Sequence, residues 1–277
     1  MRNVLLDGTN LRLSRIGFGT GRLFSLRSIG STSARHRLLT AAYDSGITHF
    51  DTAPSYGSGI AESDLRAILA SHPDATVATK VGIYTAGGED QTPISVALRK
   101  GVGKILPSLC KKTVDWSVDR ARRSLDGSLR RLGRERVDLY LLHEPHAHLL
   151  AADEWLQWLE CERDRVANFG IACEAGRLAP FLASESPLAK IVQCSDSVEG
   201  READVLIQAG RPLQLTFGYF SEAKRHPNFC AEKALAGALR RNSAGCILVS
   251  TGRPERIGGL VSAVDKHDAT AAVACAS

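Results

Sequence analysis

The sequence lacks any apolar run near the roughly 18 residues that a membrane span needs, so no membrane association is expected. It lacks the pattern of a secretory leader. MRNVLLDGTN meets a charge and a glycine too early for an apolar h-region, which predicts a cytoplasmic protein. It lacks paired cysteines. Cys110, Cys161, Cys173, Cys194, Cys230, Cys246 and Cys275 are odd in number and form no C-x-x-C. That excludes a disulfide framework or a zinc ribbon and predicts reduced, mostly buried thiols with no metal site. Internal repeats and long linkers are also missing. Charge of one sign is scarce, with 35 Lys and Arg against 30 acids, a net +5. The basic residues are interleaved with acids, as in DRARRSLDGSLRRLGRER (119–136). That stretch reads as a solvated helix face, so no nucleic acid is expected. The small positive balance suits a phosphorylated small ligand.

What is present is an ordinary globular composition, 44% hydrophobic and 23% charged over 277 residues. Length alone suggests two domains, but an α/β barrel of about 250 residues forms one. A short apolar strand followed by an amphipathic helix recurs along the chain. The strand-like runs are SRIGFG (14–19), GITHF (46–50), ATVAT (75–79), VDLYLL (137–142), RVANFGI (165–171), KIVQC (190–194), LQLTF (213–217) and GCILVS (245–250). Helical patterns lie between them at 33–46, 61–72 and 117–133. The last has Ser117 as N-cap, Asp119 in its first turn and Gly133 after its end. The strands show little polar alternation, as strands buried on both faces do. Eight such units predict an α/β fold, a (β/α)₈ TIM barrel forming one domain over 1–277. D-G-T-N between two apolar stretches predicts an N-terminal β-hairpin that plugs one end. The Ala-rich end, ATAAVACAS, reads as a loose or docked tail.

Catalytic side chains of a barrel come from the C-terminal ends of its strands. Three strands here run into an ionisable residue: Asp51, Lys80 and His143. Tyr56 follows Asp51 in the loop DTAPSYG. Any strand must end in something polar, so each residue alone says little. Together they describe a specific chemistry. A phenol is a weak acid with an ordinary pKa near 10. A neighbouring ammonium is expected to lower it, and a carboxylate would keep that ammonium charged and aimed. A histidine could orient a carbonyl oxygen. Such a site polarises a carbonyl and protonates the developing alkoxide. No side chain supplies hydride, so a nicotinamide cofactor is implied.

The chain resembles the aldo-keto reductase superfamily over roughly 5–265. The resemblance rests on GFGTG (17–21), DTAPSYGSG (51–59), ATKVG (78–82), SLRRLGRERVDLYLLHEP (128–145) and STGRPERI (250–257). It implies a barrel with an N-terminal hairpin and interconversion of carbonyl compounds and alcohols. It implies Tyr56 as general acid/base, Lys80 and Asp51 as its tuning pair, and His143 as orienting donor. It also implies NADP(H) lying across the barrel mouth, with NAD(H) as the other choice. Cofactor positions carried over are Thr20, Gly21, Asp51, Gln193, Phe217, Ser250, Thr251, Gly252, Arg253 and Arg256. Phe217 would stack on the nicotinamide, with Tyr219 as a rival. Arg256 would meet the 2′-phosphate, with Arg253 as a second candidate or a solvated charge. Pro254-Glu255 reads as a helix N-terminus with Pro at N1, a phosphate-binding feature.

The chain departs from the family at Ala172 and Cys173, where many members carry Ser-Asn. It departs also at Ser250, often Lys, and near Leu260, often Asn. Weaker cofactor binding is therefore predicted. GFGTG has the wrong spacing for a dinucleotide fingerprint, and no Y-x-x-x-K is present. His146 and His148 are placed in a loop beside His143, and Trp155 and Trp158 in the core. The long stretch 81–116 reads as a functional loop. Tyr84 and Trp116 either wall the pocket or, for Trp116, pack in the core. A short segment of about a dozen residues after the last helix predicts an open pocket. Two functions remain: an oxidoreductase acting on a small carbonyl or alcohol, and a catalytically weak cofactor-binding regulatory subunit. The state expected is a monomer or weak homo-oligomer.

Overall fold

In the computed structural model, eight parallel strands close into a barrel. The structure describes residues 1–21, 31–88, 91–102, 111–223 and 229–276. A hairpin of β1 (Asn3–Leu5) and β2 (Arg12–Ser14) comes first. The barrel strands β3 (Ile16–Gly19), β4 (His49–Asp51) and β5 (Thr76–Val81) follow. An outlying antiparallel pair, β6 (Ile83–Tyr84) and β7 (Thr113–Val114), interrupts the series. The barrel then continues through β8 (Leu139–His143), β9 (Phe169–Cys173), β10 (Val192–Ser195), β11 (Leu215–Phe217) and β12 (Cys246–Val249), which pairs back to β3. All eight expected strands are present.

The helices in chain order are α1 (Thr32–Asp44), α2 (Ile60–Ser71), α3 (Pro93–Val102), α4 (Val118–Leu132) and α5 (Ala152–Cys161). They continue as α6 (Ala179–Ala183), α7 (Asp204–Gln208), α8 (Tyr219–Ala223), α9 (Ala231–Arg241) and α10 (Ile257–Ala276). At α4 the Ser117 hydroxyl accepts the Arg120 N–H, and Gly133 follows the last turn with φ 64°. Each terminus thus has the residue its orphan backbone groups require.

Strand alternation divides the apolar residues into two cores. Phe18, Phe50, Val77, Tyr140, Ile171 and Ile247 face the helices. Ala78, Leu139, Leu141, Ala172, Leu215 and Leu248 face inward, where Val4, Leu6 and Leu13 of the hairpin join them. The hairpin therefore closes one end of the barrel, as the turn signal predicts. Both strand faces are buried, which is why the sequence shows no polar alternation.

Three expectations need correction. The stretch 81–116 is not a plain loop: it holds β6, α3 and β7, and its part 103–110, with Cys110, lies outside the described residues. Residues 119–136 are not all solvated. Arg131 is buried and its Nε donates to the fully buried Glu62 at 2.7 Å, because α4 packs on α2. The Ala-rich end is helix through Ala276, so no short segment of about a dozen residues follows the last helix. Alanine has the highest helix propensity, which favours that outcome.

Of the described cysteines, Cys173, Cys194 and Cys246 are buried, and burial raises each thiol pKa. Trp155 and Trp158 are buried core residues, as expected. Among the described residues, no helix is long and apolar enough to cross a membrane.

Candidate active site

The expected four residues meet at the C-terminal end of the barrel. Asp51 ends β4, Lys80 is next to last in β5 and His143 ends β8. Each continues the inward face of its strand by the two-residue period. The Lys80 ammonium is buried and donates to Asp51 Oδ1 at 2.8 Å, to Asp51 Oδ2, and to the Thr52 carbonyl at 3.0 Å. Three acceptors for three donors make burial of this charge tolerable. Removing one member of such a pair typically costs about 3–5 kcal/mol, since the other is left uncompensated.

Tyr56 comes from a short 3₁₀ turn, Tyr56–Gly59. Gly57, Ser58 and Gly59 after it are all left-handed, with φ 62°, 58° and 91°. This reversal turns the chain from the loop into α2. The Lys80 Nζ lies 5.0 Å from the Tyr56 ring centroid, so its charge acts directly on the phenol. The His143 ring meets the Tyr56 ring edge-on, with centroids 5.9 Å apart.

The phenol pKa departs from the expected direction. Burial raises it, and Asp51 and Glu144 add to the rise. Lys80 acts downward but does not prevail. The sign follows from desolvation of a phenolate, the largest of these effects. Burial and the Lys80 charge hold the His143 pKa well below its ordinary value, so the imidazole is neutral near pH 7. A neutral ring has one N–H to donate.

The other expected positions separate into groups. Thr20 is buried, and its N–H and hydroxyl both donate to the Asp51 carbonyl, at 2.9 and 3.0 Å. Gly21 passes so close to Tyr56 that a Cβ there would lie 3.1 Å from the ring. Gln193 Nε2 is 3.4 Å from each Asp51 carboxylate oxygen, while its buried Oε1 has no partner. Phe217 is half-buried at the end of β11. Its rival Tyr219 is buried, with its hydroxyl donating to Asp196 at 2.7 Å. Tyr219 belongs to the helix-facing core. The Ser250 hydroxyl donates to the Gly19 carbonyl at 2.6 Å and ties β12 to β3. Thr251 Oγ1 accepts the Arg253 N–H at 3.1 Å. Gly252, Arg253 and Arg256 are exposed, with Pro254–Arg256 forming a 3₁₀ turn into α10.

Ala172 points into the barrel, in register with both His143 and Gln193. Cys173 points the other way, into the helix-facing core. Tyr84 is buried, with Arg120 4.1 Å above its ring, so it walls no mouth pocket. Trp116 packs against the core, and its Nε1 donates to the His143 carbonyl at 3.2 Å. It also lines an outer pocket of about 670 Å³ with His146, Leu149 and Glu154.

Sequence reasoning missed Glu144. It follows His143 directly, has φ 51°, and acts electrostatically on Tyr56. No motif marks it.

Comparison with known proteins agrees with the fold. The Aldo/keto reductase family model matches residues 15–165. D-threo-aldose 1-dehydrogenase of a Pseudomonas species is 31% identical over 140 residues, 50% of this chain and 42% of that protein. Pyridoxal 4-dehydrogenase of Microbacterium luteolum is 32% identical over 149 residues, with the same two shares. The chain thus spans less than half the length of these relatives. Among solved structures, glycerol dehydrogenase from Gluconobacter oxydans superposes with TM-score 0.71 at 20% identity, covering 97% of this chain and 93% of that one. An aldo-keto reductase from Bacillus halodurans does so with TM-score 0.72 at 18% identity, covering 95% and 91%.

Proposed function

The chain belongs to the aldo/keto reductase family, and from that premise we propose that it interconverts a small aldehyde or ketone and its alcohol with a nicotinamide cofactor. The observation that carries this reading is the buried Lys80 ammonium, bonded to both Asp51 oxygens and 5.0 Å from the Tyr56 ring centroid, with a neutral His143 edge-on to that ring. Tyr56 holds the proton at its Oη. Lys80 stabilises the phenolate that remains when the proton leaves, and Asp51 keeps Lys80 charged. His143 donates its single N–H to the substrate oxygen and orients it. Burial excludes water, which strengthens each of these interactions.

The residues present fit a nicotinamide. Gln193 Oε1 is a buried acceptor without a partner, the complement of a carboxamide N–H. Phe217 would lie against the ring, and Thr20 and Gly21 would border it. Arg253 and Arg256 would meet a 2′-phosphate, which favours NADP(H) over NAD(H). When bound, the cofactor supplies the hydride equivalent that no side chain can provide.

The names of the curated relatives direct the choice of substrates to aldoses and pyridoxal-like aldehydes. A panel of these with both cofactors, followed by nicotinamide absorbance, should show turnover by the wild type. Tyr56→Phe should lower kcat by about 10²–10⁴-fold. Near wild-type turnover by Tyr56→Phe would refute the reading. Much tighter binding of NADH than NADPH would refute the phosphate preference.

A second reading, a regulatory subunit that binds cofactor with little turnover, draws on one observation: Ala172 offers no polar atom to the carboxamide. Cofactor binding in the micromolar range with no turnover across the whole panel would favour it.

A further inference from the structure

Glu144 adopts φ 51°, a left-handed conformation that non-glycine residues rarely hold. Every polar group it has is engaged. Its N–H donates to the Ala172 carbonyl at 2.8 Å. Its carbonyl accepts Arg177 Nη1 at 3.1 Å. Its carboxylate accepts the Glu174 N–H at 3.2 Å on both oxygens and pairs with Arg177 Nε at 3.2 Å. Arg177 Nη1 in turn lies 2.7 Å from His146 Nε2. Ala172 lies within β9 and Glu174 and Arg177 follow it, whereas His143, one residue before Glu144, ends β8. Trp116 Nε1 donates to the His143 carbonyl as well. A strained backbone that its surroundings over-determine next to a reacting group is where positioning is expected.

We propose that Glu144 and Arg177 are a positioning pair that fixes the peptide carrying His143 and so aims its imidazole at the substrate oxygen. The inference rests on the reading of His143 as the orienting donor. Neither residue touches the reacting atoms. The charges acting on Tyr56 are Lys80, Asp51 and Glu144, with the neutral His143 ring beside it. Glu144 itself is acted on by Arg177, Glu174 and Lys80. The pair therefore also has an electrostatic sign at Tyr56. The Glu144 carboxylate raises the phenol pKa, and Arg177 offsets that charge.

The test uses the full chain with a reactive aldehyde and NADPH. Glu144→Gln, Arg177→Met and Glu144→Gly are compared with wild type and Tyr56→Phe, with Tm measured for each. Each of the three should lower kcat about fivefold to twentyfold while KM changes less than about twofold, because a misaimed donor weakens the transition state more than the ground state. Glu144→Gly is the sharpest arm, since glycine accepts this φ without strain yet carries no carboxylate. It should keep its Tm and lose turnover. The alkaline limb of kcat should move to lower pH in Glu144→Gln and to higher pH in Arg177→Met. A merely structural pair would not move it in opposite directions.

Wild-type kcat and an unmoved limb in all three, with Tyr56→Phe inactive, would overturn the inference and leave the proposed function standing. Absence of wild-type turnover would overturn the function instead. If the wild type shows no turnover, the clamp is still measured directly by amide exchange over 139–146. Faster exchange in Glu144→Gly supports it, and unchanged exchange overturns it.

Discussion

The barrel buries a cation at each end, and the two are handled differently. At the lower end, before β3, Arg15 is fully buried and donates only to backbone carbonyls: Gly245, Leu239 at 3.2 Å, and Asn242. These close α9 and lead into β12. The guanidinium caps orphan carbonyls where a helix dipole is negative. Burial lowers its pKa, but an arginine starts too high to lose its proton. At the upper end Lys80 has a carboxylate, a carbonyl and a phenol. A fixed charge on backbone holds the fold together. A charge shared with two titratable groups can move a proton. The histidines repeat the contrast. His49 begins β4, fully buried with Nδ1 2.9 Å from Thr76 Oγ1, while His143 ends β8 beside Tyr56.

The largest expected effect exchanges the two cations for methionine. Lys80→Met should lower kcat by about 10³-fold or more, since it removes the charge that stabilises the phenolate. Arg15→Met should leave kcat per folded molecule near wild type. It strips donors from buried carbonyls, which predicts a loss of about 3 kcal/mol and a Tm lower by roughly 6–12 °C. Assays paired with denaturant titration check both. Turnover lost in Arg15→Met with Tm unchanged would collapse the distinction between the two ends.

The upper end was the more legible of the two in the sequence. A barrel strand buried on both faces is an apolar run, so Asp51, Lys80 and His143 stand out where three runs stop. Arg15 gives no such signal, because its partners are carbonyls supplied by distant residues. The same double burial hides orientation. Nothing in GIAC says that Ala172 faces inward and Cys173 outward, a distinction that only strand register makes. Arg131 looks like a solvent charge until α2 brings Glu62 against it. Tyr84 is core because an antiparallel pair forms inside 81–116, a pairing that two-residue strands do not announce. The direction of the Tyr56 pKa escapes the sequence for a related reason: the ammonium can be read from the motif, but the burial cannot.

A smaller effect separates the ends by pH. Burial pushes the His49 pKa down to about 3, and His143 also falls well below its ordinary value. The unfolded chain therefore binds more protons than the native one below about pH 6.5. Stability is fully present above that pH and falls as pH drops toward 3, by up to about 1.4 kcal/mol per unit for each histidine. Denaturant titration between pH 7 and 4.5 should show this slope, and His49→Gln should remove about one histidine's share. Turnover per folded molecule should show no acid limb near 6.5, because His143 stays neutral there. An acid limb at that pH in the wild type would mean that the upper histidine titrates like an exposed one.

The smallest effect tests whether the upper end has room for one more polar group. Ala172 lies in register with His143 and Gln193, and Gln193 Oε1 is buried without a partner. Ala172→Ser adds one hydroxyl within this layer at little change in volume. A hydroxyl there can donate to Gln193 Oε1 or accept from a carboxamide. One such hydrogen bond is worth about 1 kcal/mol net, which predicts roughly fivefold tighter cofactor binding by fluorescence quenching. Stability should stay within about 0.5 kcal/mol of wild type, because the buried hydroxyl finds a partner. One layer down, Leu141→Thr would put a hydroxyl into the apolar inner core that holds Leu139, Leu215 and Leu248. It should cost about 2–4 kcal/mol from lost apolar burial and an unsatisfied polar group together. Equal costs for the two hydroxyls would show that the polar layer ends above Ala172 and that Gln193 is shut off from the cofactor side.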